Sequence, residues 1–134
     1  MKTFHLHIVD PQHTFYSGDV EELTFQTLDG SYGVLAGHEP TLAPLVSGLV
    51  RFKTAEGWSE GISSDGFVEI MPTYAKVLTM SIVRPEEVDV ERALRAKERA
   101  EENLKHKLAK EEFFRNQAAL ARALSRLKYG KSKK

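Results

Sequence analysis

Pro85 divides the chain into two parts that obey different periods. Beyond it neither glycine nor proline occurs until Gly130, and the composition turns to Ala, Leu, Glu, Lys and Arg, all strong helix formers. Before it, apolar and polar residues alternate. In FHLHIVD, Phe4, Leu6 and Ile8 fall on one face and His5 and His7 on the other; in ELTFQTL, Leu23 and Phe25 alternate with Thr24 and Gln26. Trp58 and Ile62 share a face, with Glu60 between them. A period of two is the mark of half-buried strands. YAKVLTMSIV, residues 74–83, is apolar on both faces and reads as one strand covered on both sides. Turn signals punctuate these runs at Ser17-Gly18, Leu28-Asp29-Gly30-Ser31, Ser47-Gly48, Glu56-Gly57 and Ser64-Asp65-Gly66. Such residues reach positive φ cheaply, as tight hairpins require. Strands with turns roughly every 8–12 residues predict an antiparallel sandwich or barrel over residues 1–84.

Residues 85–134 predict a helical hairpin, making the chain an α+β protein. Ala93, Ala96, Ala100 and Leu104 step along one helical face, and Phe113, Phe114, Ala118, Ala121, Leu124 and Leu127 along another. Length places the break between the helices near Lys107–Glu111. Alanines let helices approach closely but bury little area, at about 25 cal/mol per Å². The pair is therefore expected to be weakly self-stable and able to open or dock again. The terminal KSKK is expected to fray.

The formal net charge of zero conceals an asymmetry. Residues 1–87 carry 5 Lys and Arg against 12 Asp and Glu, and residues 88–134 carry 14 against 7, so the two parts stand at −7 and +7. Different partners for the two parts follow. The chain has no cysteine, which excludes disulfides, thiolate metal sites and a Cys nucleophile. MKTFHLHIVDP lacks the apolar stretch of a signal peptide, and no run approaches the roughly 18 apolar residues of a membrane span. A soluble chain, reaching a membrane only through partners, is expected.

The catalytic motifs are missing. GVLAGHEPTLAP, residues 33–44, carries His38 beside Glu39, but neighbours in an extended loop point in opposite directions, and a general base needs a bonded partner and a pocket. A loop stiffened by Pro40 and Pro44 that presents a surface is the preferred reading. His5 and His7 share a strand face with His13 nearby, short of the three or four ligands that zinc takes, so a solvated face is expected and no metal. No GxxxxGK[ST], GxGxxG or GxSxG pattern occurs. Glu98, Glu101 and Glu102 interleave with the cations and disfavour nucleic acid. A basic-helix nucleic-acid binder or a free-standing nucleotide-binding module is the alternative reading. One constellation remains. Asp89 suits a helix N-cap, and Arg92, three residues on, can pair with it. Arg122 and Arg126 share a face and repel. If the helices fold antiparallel, Arg92, Arg122 and Arg126 converge, and guanidinium groups suit phosphate oxygens.

GVLAGHEPTLAPLVSGLV, SDGFVEI and VDVERA, in that order along almost the whole chain, resemble the epsilon subunit of bacterial F-type ATP synthases. Ala36 stands where proline is usual before Gly-His, and Ser64-Asp65-Gly66-Phe67 replaces a double-glycine form. The resemblance implies a ten-stranded β-sandwich followed by two helices, with no catalytic residues. It implies a place on the rotating central stalk at the cytoplasmic face of the cell membrane, peripheral to it. The partners implied are the gamma subunit, the c-ring and, through the basic helices, the beta subunits. The ring contact would use the loop of Asp29, Gly30 and Ser31 and the loop of His38. Extended helices would inhibit ATP hydrolysis. The motif [I/L]-D-x-x-R-A, matched by Val88-Asp89-Val90-Glu91-Arg92-Ala93, together with Arg99, Arg122 and Arg126, would bind a regulatory ATP in the folded hairpin. No cofactor is required, and nothing assigns Mg²⁺. A carboxylate found just upstream in nucleotide-binding members is Val83 here.

Overall fold

The computed structural model describes residues 2–131. Ten strands come first: β1 (Phe4–Val9), β2 (Thr14–Val20), β3 (Glu22–Thr27), β4 (Gly30–Leu35), β5 (Thr41–Leu45), β6 (Gly48–Thr54), β7 (Gly57–Ser63), β8 (Gly66–Ile70), β9 (Tyr74–Thr79) and β10 (Ile82–Val83). A 3-10 turn, Pro85–Glu87, leads into α1 (Val90–Leu104) and α2 (Lys110–Tyr129). The strands form two five-stranded sheets, ordered β2-β1-β9-β8-β5 and β10-β7-β6-β3-β4. This is the expected ten-stranded sandwich with two C-terminal helices. The break between helices falls at residues 105–109, slightly before the expected position.

Alternation along each strand puts one face of each sheet into a shared core. Leu6, Ile8, Phe25, Val50, Val68 and Val77 are all fully buried in it. The described strand pairs are antiparallel except β1 with β9, which run parallel. These two strands are distant in sequence, so no hairpin turn dictates their direction. Two hairpins turn at Gly30 and Gly57, with φ of +114° and +119°. Each is braced by a threonine hydroxyl, Thr27 or Thr54, which accepts an amide bond from within the turn and donates to the glycine carbonyl.

Four sequence expectations need correction. Ser17-Gly18 is no turn: it lies inside β2, where Gly18 pairs with Leu6 and the Tyr16 ring lies over the glycine. Residues 74–83 are not one strand covered on both sides. β9 exposes Tyr74 and Leu78, the chain breaks at Met80-Ser81, and β10 joins the other sheet. A strand that changes sheet carries apolar residues of both parities without both faces being covered at one place. Trp58 and Ile62 do share a face, but only Ile62 is buried; Trp58 stays 44% exposed under the Arg51 guanidinium. Finally, Phe113, Phe114, Ala121 and Leu124 are exposed, while α2 buries Ala123 and Ser125. The residues of α2 that face α1 across the cavity include Ala119 and Ala123, not the phenylalanines.

The crossing between sheets is a buried polar knot. Thr79 Oγ1 lies 3.0 Å from the Ser64 carbonyl, 3.3 Å from that of Asp65 and 3.2 Å from that of Ser81. The Ser64 amide donates to the Ser81 carbonyl at 2.9 Å. Gly66 is required here because a Cβ would strike the backbone of Leu78 and Thr79. Asp10 ties the same crossing to the β1–β2 loop. Its Oδ1 accepts the amides of Gln12 and His13, both at 2.9 Å, and faces His13 Nδ1 at 2.8 Å; Oδ2 accepts the Ile82 amide at 3.1 Å. Burial alone would raise the Asp10 pKa, but these bonds outweigh it and hold it below the usual carboxylate value.

The hairpin folds onto the outer face of the second sheet. Ile62 belongs to that outer face, in register with Leu49 and Val83, and is nevertheless buried. The end of α2 closes over Val88: a Cβ on Gly130 would sit 2.8 Å from the Val88 Cβ. The Lys131 amide donates to the Pro85 carbonyl at 2.7 Å, and its Nζ pairs with Glu60 at 3.0 Å. Lys131 is thus anchored rather than frayed; Ser132–Lys134 lie outside the described residues.

Asp10→Asn is expected to lower stability by about 1 kcal/mol at neutral pH, because the amides of Gln12, His13 and Ile82 lose a charged acceptor. The folded Asp10 pKa lies below its unfolded value of about 3.9. Its contribution is therefore complete above that value and fades as pH falls through the lower, folded one. Urea unfolding of both chains between pH 7 and pH 2.5 should show their difference shrinking only below about pH 4.

Candidate anion site between the helices, and two exposed surfaces of the sandwich

Asp89 begins α1, its Oδ1 accepting the Arg92 amide at 3.1 Å, as its position before the helix required. Glu87 Oε1 accepts the Arg84 amide at 2.8 Å, which holds the preceding turn. At the far end, Asn103 Nδ2 donates to Asn116 Oδ1 at 3.0 Å, and Asn116 Nδ2 donates to the Glu112 carbonyl at 2.8 Å. Between these ties, two alanine-faced helices enclose a cavity of about 650 Å³. Val88, Asp89, Arg92 and Ala93 line it from α1 and the residues just before it, with Arg99 about two turns beyond Arg92. Arg122 and Arg126 line it from α2. All the residues of the motif reading thus meet in one place.

The electrostatics of this cavity are one-sided. Five guanidinium groups line it, those already named and Arg95, against the carboxylates of Glu87 and Asp89. Both carboxylates already accept backbone amides, and Arg95 faces Glu91 at 4.0 Å. Burial, then the positive charges of Arg122 and Arg92, push the Arg126 pKa below its ordinary value. Guanidinium groups stay protonated far above neutral pH, so Arg126 stays charged in a place where burial, and after it the neighbouring cations, disfavour the charge. Arg122 Nε is buried without a hydrogen-bond partner. A donor in that state carries a desolvation penalty of about 1–3 kcal/mol, which an anionic oxygen would remove. The arrangement fits a polyanion with several acceptor oxygens. Val83 lines the wall where a carboxylate would have added negative charge.

Sequence reasoning missed Ser81, whose hydroxyl accepts from Arg126 Nη2 at 2.7 Å. It also missed the Asn103–Asn116 tie and Arg95. The asparagines become visible as a pair only once the helices are folded about residues 105–109; Ser81 carries no signal in the sequence.

The other named residues lie on the sandwich. Asp29 lies in the β3–β4 turn, Gly30 and Ser31 begin β4, and His38 sits in the β4–β5 loop. They stand at opposite ends of β4, an edge strand of its sheet, and do not form one cluster. Tyr32 links them. His38 Nδ1 lies 2.8 Å from the Glu39 carbonyl and so carries the proton, leaving Nε2 to accept from the Tyr32 hydroxyl at 3.2 Å. His38 therefore bonds the backbone of Glu39 and not its carboxylate. His5 likewise reaches Ser17 Oγ at 3.2 Å and Asp19 at 3.6 Å on an open strand face. Among the described residues no cluster of three or more His, Asp or Glu could hold a metal ion.

The outer face of the first sheet carries a row of apolar side chains. Pro44, Phe67, Leu78 and Val9 are cross-strand neighbours on β5, β8, β9 and β1, and Phe67 is 55% exposed. Leu42, 69% exposed, lies on the same face. Among the described residues no helix is long and apolar enough to cross a membrane.

Comparison with known proteins accounts for this combination. The family model described as the β-sandwich domain of the ATP synthase delta/epsilon chain matches residues 3–85, and that of its long α-helix domain matches residues 86–130. The ATP synthase epsilon chain of Ruminiclostridium cellulolyticum is 42% identical over 127 residues, covering 95% of each chain. That of Caldicellulosiruptor bescii is 39% identical over 134 residues, covering 100% of this chain and 98% of its own. Among solved structures, a chain of the Euglena gracilis mitochondrial ATP synthase has the same fold, with a TM-score of 0.74 at 24% identity, over 92% of this chain and 78% of that one. A chain of the central stalk and c-ring of the Tetrahymena thermophila mitochondrial ATP synthase gives a TM-score of 0.65 at 12% identity, over 95% and 96%. Sandwich, helical pair and sequence agree throughout, and the chain belongs to the ATP synthase delta/epsilon family.

Proposed function

We propose that this chain is a non-catalytic rotor subunit of the ATP synthase central stalk. It couples rotation between the membrane ring and the catalytic head, and restrains ATP hydrolysis through a change of pose in its helices. The observation that carries the regulatory half is the cavity of Arg92, Arg122 and Arg126, with Arg122 Nε buried and unpartnered. ATP, with three linked phosphates, supplies the oxygens those donors lack. It binds only the folded hairpin, so it stabilises that pose by RT ln(1 + [ATP]/Kd). Without it, the like charges favour separation of α2 from α1, and the basic helices become available to acidic segments of the beta subunits.

The sandwich carries the structural half. The apolar row of Pro44, Phe67, Leu78 and Val9 suits the gamma subunit, because a soluble surface rarely leaves such a stripe uncovered. The edge strand β4, with Asp29–Ser31 at one end and His38 at the other, suits the ring of c subunits. The protein then works at the cytoplasmic face of the membrane, held there by its partners.

Calorimetry on the isolated chain is expected to show ATP binding that Arg122→Ala or Arg126→Ala weakens by at least about tenfold. Lys105→Ala, outside the cavity, should leave it within about twofold; equal effects of all three, or no binding by the parent, refute the ATP site. In the assembled enzyme, removing residues from 88 onward should raise ATP hydrolysis while the complex still purifies intact. Phe67→Ser with Leu78→Ser should lower recovery of the gamma subunit with the chain, without changing the thermal midpoint of the free protein.

A further inference from the structure

Arg126 faces two ways. Its guanidinium lines the cavity between the helices, while Nη2 donates to Ser81 Oγ at 2.7 Å. Ser81 belongs to the sandwich, not to the hairpin, and it is firmly held. Its carbonyl accepts the Ser64 amide at 2.9 Å and faces Thr79 Oγ1 at 3.2 Å, in the buried knot where the chain changes sheets. The next amide, of Ile82, is held by Asp10 Oδ2 at 3.1 Å. The acceptor offered to Arg126 is therefore fixed in place by the β-body.

We propose that Ser81 is the positioning residue of the anion site: it fixes Arg126 against the sandwich, so that an anion drawn between the helices also locks α2 onto the β-body. This rests on the reading of the cavity as an anion site. A hydroxyl is the right group for the task. It accepts a short charge-assisted bond and orients the guanidinium, yet it brings no negative charge. The repulsion from Arg122 and Arg92 is left for the anion to relieve. A carboxylate at the same point would neutralise Arg126 outright, docking the helix permanently and removing the demand for a ligand. Ser81 thus makes docking depend on the anion, through one side chain that serves both contacts.

The test uses the full chain and two readouts, amide exchange over residues 122–131 and calorimetric titration with ATP and with inorganic tripolyphosphate. Without anion, Ser81→Ala and Arg126→Ala should each speed exchange about five- to tenfold. The double variant should exchange no faster than Arg126→Ala alone, a non-additivity that general loosening would not give. Ser81→Thr should restore the parent rate. Ser81→Asp should slow exchange below the parent's while weakening tripolyphosphate binding more than Ser81→Ala does. With anion, Ser81→Ala should weaken binding of both probes about three- to tenfold. Parent-like exchange in Ser81→Ala, or additive effects in the double variant, overturns the coupling. Failure of the parent to bind either probe refutes the anion reading instead, and the exchange cycle still decides the Ser81–Arg126 contact.

Discussion

Three guanidinium groups crowded into one cavity between two helices are the interaction on which the rest of the molecule turns. Arg92, Arg122 and Arg126 meet there, in a cavity where five guanidinium groups stand against the carboxylates of Glu87 and Asp89, and Arg122 Nε is buried without a partner. Against that repulsion stands a seam of alanines, Ala93, Ala100 and Ala123, which buries little apolar area. The two terms are opposite in sign. On the proposed reading, a ligand that neutralises the charge favours this docked pose over any other.

The sandwich is built on the contrary principle. Leu6, Ile8, Phe25 and Val50 fill a continuous core from both sheets, and the polar groups at the crossing, Ser64, Thr79 and Asp10, are bonded to backbone. Nothing in that body is poised to move. Its two outer faces then differ in what they carry. One accepts α2 along Leu49, Ile62 and Val83; the other leaves the stripe through Phe67 and Leu78 open. A β-body with a helical pair docked on one face and an uncovered apolar stripe on the other offers two surfaces of different character.

The join between the parts is short and specific. Gly130 must lack a Cβ to lie against Val88, the Lys131 amide reaches back to Pro85, and Lys131 Nζ reaches Glu60 on β7. Arg51 lies 3.6 Å from the same Glu60 and stacks over Trp58. These are exposed pairs, each worth little by itself. Their use is to fix where the helix ends, and thereby which of its residues look into the cavity.

Much of this was legible before any coordinates. Alternation marked the strands because a half-buried sheet admits no other period, and the absence of glycine and proline after Pro85 marked the helices. The spacing of Asp89, Arg92, Arg122 and Arg126 already implied convergence once an antiparallel hairpin was assumed. What could not be read was any property set by a neighbour distant in the chain. Apolar residues of both parities in 74–83 meant a strand changing sheets, not a doubly covered one. Phe113 and Phe114 are exposed while Ala123 is buried, because which stripe of α2 faces inward is set by how the hairpin docks on α1 and the sheet. Ser81, a plain polar residue in the sequence, became the partner of Arg126 only when two sheets and a helix met there. The sequence alone determined the periods, the caps and the signs of charge, since these are local; the tertiary structure decided which faces were covered and which cations were left unanswered, since those depend on contacts no single stretch contains.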